Sequence, residues 1–219
     1  MKILVISPHP DDETLGAGGS LLKFKKEGNK IFWLNFTDMS QEYGYPANEV
    51  NRRRCQIKKV IKAYFFDKFY NFALKPCSLS EYPKAELIDK VKNILNTVKP
   101  SVIILPFKSD VHSDHRIVFE VVYSCTKVFR MPFIKEVLMM EILSETDFAS
   151  SENGFVPNYF IDISEFMSKK IKIVRNYKNE LGPVPFPRSV DNILALATYR
   201  GATAGCRFAE AFILLKKIG

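Results

Sequence analysis

All three histidines of the 219-residue chain lie in two short acidic stretches. The first, Ser7-Pro8-His9-Pro10-Asp11-Asp12-Glu13, sets one imidazole beside three carboxylates. The second, His112-Ser113-Asp114-His115, sets two imidazoles around one carboxylate much later in the chain. Imidazole nitrogen and carboxylate oxygen together suit a divalent metal, and three protein ligands with an open fourth position form the usual catalytic zinc arrangement. His9, Asp12 and His115 make such a set. Adjacent carboxylates in a proline-stiffened turn point apart, so Asp12 can bind the ion while Asp11 faces its water. The metal lowers the pKa of that water to roughly 7, where a nearby carboxylate can accept its proton.

His112 and His115 are spaced to share one face of a helix start. That sets His112 beside the fourth coordination position, to stabilise an oxyanion or to protonate a leaving amine. A helix N-terminus disfavours imidazolium, which suits a neutral metal ligand and opposes a protonated His112. Asp114 can offset that by orienting or pairing with a histidine. Each stretch alone reads equally well as a polar loop or a capping cluster, and Glu13 reads as a first-turn helix residue rather than a catalyst. What favours one metal site is that the two stretches hold every histidine, follow predicted strands and open helices.

The rest of the chain must bring the stretches together. Residues 2–6 are continuously apolar, which predicts a buried strand ending at the first stretch. Pro8 and Pro10 push Ser7 and His9 into extended conformation and aim His9 out of the strand's end. A helix is predicted over 15–27, with Gly16, Gly18 and Gly19 letting its first turn lie close to other backbone and Gly28-Asn29 stopping it. A strand over 31–36, a loop over 37–46, a helix over 47–63 and a short strand over 64–67 follow, then an irregular stretch over 68–80. The helix over 81–98 keeps Leu87, Val91, Ile94, Leu95 and Val98 in period. A strand over 102–106 runs into the second stretch, and a helix over 116–128 leaves it. Strands over 137–143 and 159–163, a helix over 164–177 capped by Ser164, a loop over 182–187, a helix over 193–204 and a closing strand over 208–215 complete the pattern. Such alternation implies an α/β fold, a mostly parallel sheet with helices on both faces and right-handed crossovers. Ligands bind outside the carboxyl ends of such strands, where both stretches fall. With no repeat and no linker, residues 1–219 read as one domain.

Composition narrows the classes. The chain is 47% apolar and 26% charged, an ordinary globular balance. No stretch approaches the ~18–20 apolar residues of a membrane helix, and the run after Met1 is too short for a signal peptide. Cys55, Cys77, Cys125 and Cys206 are scattered without a CxxC, as in reduced cytoplasmic proteins. The net charge of +8 attracts anions without choosing among them. The lysines spread over helix faces, and there is no nucleic-acid motif or aromatic stripe. The expected partner is a small molecule, with no nucleic acid and no membrane span. Oligomeric state stays open, a homo-oligomer included.

Pro8-His9-Pro10-Asp11-Asp12-Glu13 with His112-x-Asp114-His115 resembles the paired motifs of the PIG-L/LmbE-like family of metal-dependent N-deacetylases. The family shows an (A/P)HPDDE stretch near the N-terminus and an HPDH-type stretch near the middle. The resemblance implies a Rossmann-like layer and zinc or iron(II) held by His9, Asp12 and His115. It implies Asp11 as general base, His112 at the oxyanion and Asp114 behind a histidine. Family members remove acetyl from N-acetylglucosamine units on inositol, phospholipid, thiol precursors or other sugars. Arg53-x-x-Gln56 is similar to the family's Arg-x-x-Glu, whose arginine approaches substrate. Arg200-Gly201 and Ala209-Glu210-Ala211-Phe212 are similar to the ending of bacterial sugar-deacetylase-like members, so the resemblance spans nearly the whole chain. Arg53, Arg188 and Arg200 are thus candidate substrate contacts, with structural ion pairs as the alternative.

Three departures bear on the substrate and leave the metal chemistry intact. Ser113 stands for the usual proline, Gln56 for glutamate, and Thr37-Asp38-Met39 lacks a customary glycine. The expected function is zinc-dependent removal of acetyl from an N-acetylglucosamine-type sugar or its conjugate. The rivals are a metal-dependent hydrolase of another amide or of a phosphoester, and a non-catalytic sugar- or nucleic-acid-binding module. The complete ligand and base set argues against the last.

Overall fold

The computed structural model describes residues 1–219. Seven strands form one sheet: β1 (Lys2–Ser7), β2 (Lys30–Thr37), β3 (Lys68–Leu74), β4 (Val102–Pro106), β5 (Glu136–Met140), β6 (Tyr159–Asp162) and β7 (Ala209–Lys217). Their order is β3-β2-β1-β4-β5-β7-β6. The first five run parallel, and β7 lies antiparallel between β5 and β6. This is the mostly parallel α/β layer that the alternation implies.

The core is two-sided. Ile3, Val5, Ile31, Trp33, Ile104 and Met140 face α1 (Asp12–Lys26), α2 (Ala47–Tyr64), α5 (Met167–Val174) and α6 (Val190–Ala204). Leu4, Ile6, Leu34, Phe36, Leu105 and Met139 face α3 (Lys84–Val98) and α4 (Ser113–Ser124). Helices on both faces leave no polar side, which is why the central strands read as unbroken apolar runs. β1 pairs with β2 on one side and β4 on the other, with Val5 opposite Trp33 and Ile104. The chain therefore turns opposite ways from β1, and the ends of β1 and β4 border the resulting crevice.

Several elements differ from the sequence expectation. The short strand over 64–67 is absent: Tyr64 ends α2, and Phe65 caps it in the left-handed region at φ 58°. Tyr64 stays helical because its buried hydroxyl reaches the Thr14 hydroxyl, 3.2 Å away. The edge strand β3 occupies 68–74 instead; pairing on one side only, it carries the mixed polar and aromatic pattern that reads as irregular. α5 starts at Met167, because Ser164 donates to the Asp162 carboxylate and accepts from the Phe208 amide rather than capping a helix. α1 begins at Asp12 and α4 at Ser113, so each acidic stretch forms a first turn, where carboxylates meet the positive end of the helix dipole. Gly16 and Gly19 admit side chains rather than backbone: a Cβ there would lie 2.8 Å from Met140 and 2.7 Å from Ile163.

Candidate metal centre and active site

The loop after β1 is held at both ends. The Pro8 carbonyl accepts the amide and hydroxyl of Thr37 at 2.9 and 2.8 Å, tying the loop to the end of β2. The His9 amide donates to Asp12 Oδ2 at 2.9 Å. Asp11 sits at φ 144°, ψ −29°, where L side chains are rarely found. Glu13 holds it there by accepting the Asp11 amide at 3.0 Å, while the Asp11 carbonyl accepts the amides of Thr14 and Leu15. Glu13 is fully buried and also accepts the hydroxyls of Thr14 and Tyr177. Burial outweighs those donors and lifts its carboxyl to about 7. Glu13 thus braces the turn from behind and is not among the residues lining the cavity.

The second stretch is oriented from outside itself. His115 Nδ1 lies 2.8 Å from Asp110 Oδ2, and Asp110 Oδ1 accepts the Thr146 hydroxyl at 2.6 Å. With Nδ1–H donated to Asp110, the lone pair of His115 Nε2 points at Asp12 Oδ2, 3.3 Å away. His112 caps α4: its Nδ1 accepts the Asp114 amide at 3.1 Å, and its Nε2 lies 3.6 Å from Cys77 Sγ. Asp114 accepts the amides of Cys77 and Leu79 and lies 3.1 Å from His9 Nε2. It therefore serves His9 across the crevice, not a histidine of its own stretch. The ring centroids of His9 lie 4.6 Å from His112 and 5.3 Å from His115.

The centre attracts positive charge. Burial alone would lower the pKa of His9, but hydrogen bonds to Asp114 and Asp12 raise it to about 9. Burial likewise opposes protonation of His115, and Asp12 and Asp110 overcome it, giving about 10. Asp12 is held far below the carboxylate range: His115 and His9 outweigh its burial. His112 goes the other way, lowered to about 4 by burial and by the two neighbouring imidazoles. Asp11 is pushed well up, first by burial, then by Asp12 and Glu180, against Arg188 and Arg53.

His9, Asp12 and His115 each offer a donor atom, all within 4.8 Å of one another. His115 Nε2 is buried with no hydrogen-bond partner. Its nearest polar neighbour is Asp12 Oδ2 at 3.3 Å, and a proton or a cation held between the two would satisfy both. The donors fit a divalent ion. A second group of His9, His112 and Asp114 is equally close, but Asp114 is already engaged by two amides.

A cavity of about 280 Å³ opens on this centre, lined in part by His9, Asp11, Asp12, His112, Glu145 and Arg188. Arg53 also lines it, yet its guanidinium is occupied, donating to the Pro10 carbonyl at 2.7 Å and pairing with Glu180. Arg188 is freer: it lies 3.9 Å from Asp11 and 3.7 Å from Glu180, and its buried Nε has no partner. Arg200 does not line the cavity; it makes a bidentate pair with Glu141, at 2.9 and 2.5 Å, beside a separate small pocket under α6. Sequence reasoning did not single out Asp110, Glu145 or Glu180. Asp110 carried a signal, since it follows a strand end shortly before a candidate ligand, whereas Glu180 carried none.

A model of the family described as PIG-L, GlcNAc-PI de-N-acetylase, matches residues 4–126, a span that includes both stretches. Diacetylchitobiose deacetylase of Thermococcus kodakarensis is 25% identical over 233 residues, covering 95% of this chain and 81% of that protein. The structure of N,N'-diacetylchitobiose deacetylase from Pyrococcus horikoshii, complexed with its inhibitor MPG, superposes with TM-score 0.77 at 21% identity, covering 98% of this chain and 84% of that one. The conserved protein TT1542 from Thermus thermophilus gives 0.80 at 22% identity, over 99% of this chain and 96% of that one. The family match over more than half the chain agrees with the two loops that meet between β1 and β4, and the chain belongs to the PIG-L family.

Proposed function

We propose that this chain is a metal-dependent N-deacetylase that hydrolyses the acetamide of an N-acetylglucosamine-type sugar or its conjugate, with residues 1–219 serving one active site. The observation that carries the reading is the buried, unpartnered His115 Nε2 facing Asp12, with His9 beside it and the Asp11 carboxylate adjacent. The family match and the deacetylase relatives support the choice of reaction. His9, Asp12 and His115 would hold the ion; we assign zinc, with iron(II) the other ion such nitrogen and oxygen donors accept. When bound, a divalent ion polarises the amide carbonyl and lowers the pKa of a water towards about 7.

The chain's own groups do the remaining work. Asp11 takes the proton from the attacking water; burial, Asp12 and Glu180 push its pKa up, the direction that makes a carboxylate a stronger base. His112 is a neutral donor: its Nδ1 accepts a backbone amide, so Nε2 carries the hydrogen and faces the cavity. It donates to the carbonyl oxygen as that oxygen becomes an oxyanion. Because protonation at Nδ1 would break the cap, Asp11 rather than His112 returns the proton to the leaving amine. Asp110 and Asp114 orient His115 and His9, and Arg188 offers unsatisfied donors to substrate hydroxyls or carbonyls. Water adds across the C–N bond, releasing acetate and the free amine.

Four unpaired cysteines support a cytoplasmic setting; no helix is long and apolar enough to cross a membrane. The test is acetate release by the zinc-loaded chain from N,N'-diacetylchitobiose and other N-acetylglucosamine conjugates, run beside p-nitrophenyl phosphate. Acetate release without phosphate release is expected. Turnover of the phosphoester alone overturns the reading.

A further inference from the structure

Lys170 and Glu210 are 3% and 5% exposed, lie outside the site cavity and take no part in the chemistry above. Glu210, on β7, accepts the backbone amides of Gly19 and Ser20 at 2.7 Å each and the Ser20 hydroxyl at 2.6 Å. Lys170, on α5, donates to the Leu15 carbonyl at 2.8 Å and to Glu210 at 2.7 Å. These are mid-helix groups of α1. In a regular helix the Gly19 amide would bond to the Leu15 carbonyl. Lys170 and Glu210 therefore grip both ends of one rung of the helical ladder. The signs suit the peptide dipoles, a cation on the carbonyl and an anion on the amides. A side chain entering the ladder in this way bends a helix. Glycine lets both neighbours approach: a Cβ on Gly18 would lie 2.5 Å from the Tyr64 hydroxyl and 3.3 Å from Lys170 Cγ.

The rung lies about one turn below the metal centre. The Leu15 amide donates to the Asp11 carbonyl at 2.9 Å, and Asp12 opens the helix. The axis of that first turn sets where Asp11 and Asp12 stand against His115, which is placed independently by Asp110. We infer that the Lys170–Glu210 pair is a positioning device for the metal centre, fixing the first turn of α1 so that Asp12 and Asp11 stay in register with His9 and His115. The inference rests on the metal site proposed above; neither residue touches substrate.

A mere structural brace would change stability and nothing else. The test is the double substitution Lys170→Met with Glu210→Gln, which leaves no unpaired buried charge. Zinc affinity is measured by chelator competition, folding by circular dichroism melts, and kcat and KM on N,N'-diacetylchitobiose. The expected result is a cooperative melt, zinc affinity weakened at least ~10-fold as for outer-shell changes at metal sites, and a lower kcat with little change in KM. Leu95→Ala, a fully buried site on α3 across the sheet, should lower the melting temperature without moving zinc affinity. If the double variant does not fold, Glu210→Asp, which keeps the charge and shortens its reach, is read the same way. A folded variant with wild-type zinc affinity and kcat overturns the inference, as does an equal zinc loss in Leu95→Ala. If the wild-type chain binds zinc but releases no acetate from any N-acetyl sugar, the deacetylase reading fails and the zinc measurement still decides this one. A wild-type chain that binds no zinc overturns both.

Discussion

Helix α1 meets buried charge in two places, and the two are finished differently. At the Leu15–Gly19 rung, Lys170 and Glu210 bond each other and the backbone. At the helix start, Asp11 is held at φ 144°, and the two buried side-chain nitrogens left without a partner, His115 Nε2 and Arg188 Nε, belong to groups beside Asp12 and Asp11. A strained backbone position costs of order 1–3 kcal/mol, and each orphaned polar atom costs about as much. One helix thus tolerates at its tip what it excludes a turn below. The lower site is satisfied by its own partners; the upper one keeps open donors, which the proposed metal would use.

The largest effect that sharpens this contrast is at Asp11. Asp11→Asn should cut acetate release at least ~10²-fold while zinc stays bound, because the base is lost and the ligands are kept. Near-normal turnover would remove Asp11 from its role. Next is Asp110→Ala, which takes the acceptor from His115 Nδ1 and should weaken zinc about 10–100-fold in chelator competition. An unchanged affinity would mean that His115 needs no orienting partner.

Acidity gives a third, graded effect. In the metal-free chain His9 and His115 titrate at about 9 and about 10, above the ~6.5 of a free imidazole. Their protonated forms therefore stabilise the metal-free fold. That contribution is complete below pH ~6.5 and is lost as pH climbs through the two raised values. Zinc replaces those protons, so its affinity should rise over the same window, with proton release visible by calorimetry in buffers of different ionisation enthalpy. A flat affinity over that range would contradict the assigned ligands. The smallest effect is Arg200→Ala, which breaks the pair with Glu141 away from the cavity. It should cost about 1–3 kcal/mol in a melt, the price of a stranded, partly buried carboxylate, and leave KM for sugar unchanged. A raised KM would return Arg200 to the substrate.

The central strands and the two motifs were legible because each rests on local chemistry. Apolar runs such as Ile3–Ile6 mark strands covered on both faces, and the histidines appear nowhere else. What could not be read depends on distant partners. β3 hides behind its edge position, and Ser164 looks like a helix cap until Asp162 and Phe208 are beside it. Asp114 looks tied to its own stretch, yet its carboxylate crosses to His9. Glu13 reads as helix-starting charge, and only the fold brings Tyr177 and the strained Asp11 amide to it. Arg53, Arg188 and Arg200 are alike in sequence; the fold occupies the first with Glu180, sends the last to Glu141 and leaves Arg188 without a close partner.

The most direct test of the account is a zinc-edge anomalous diffraction measurement on crystals of the metal-loaded chain. One ion per chain is expected, ligated by His9, Asp12 and His115, with the Asp11 carboxylate beside it and uncoordinated. A folded, zinc-saturated chain whose ion sits on other residues, or on Asp11 itself, would contradict it.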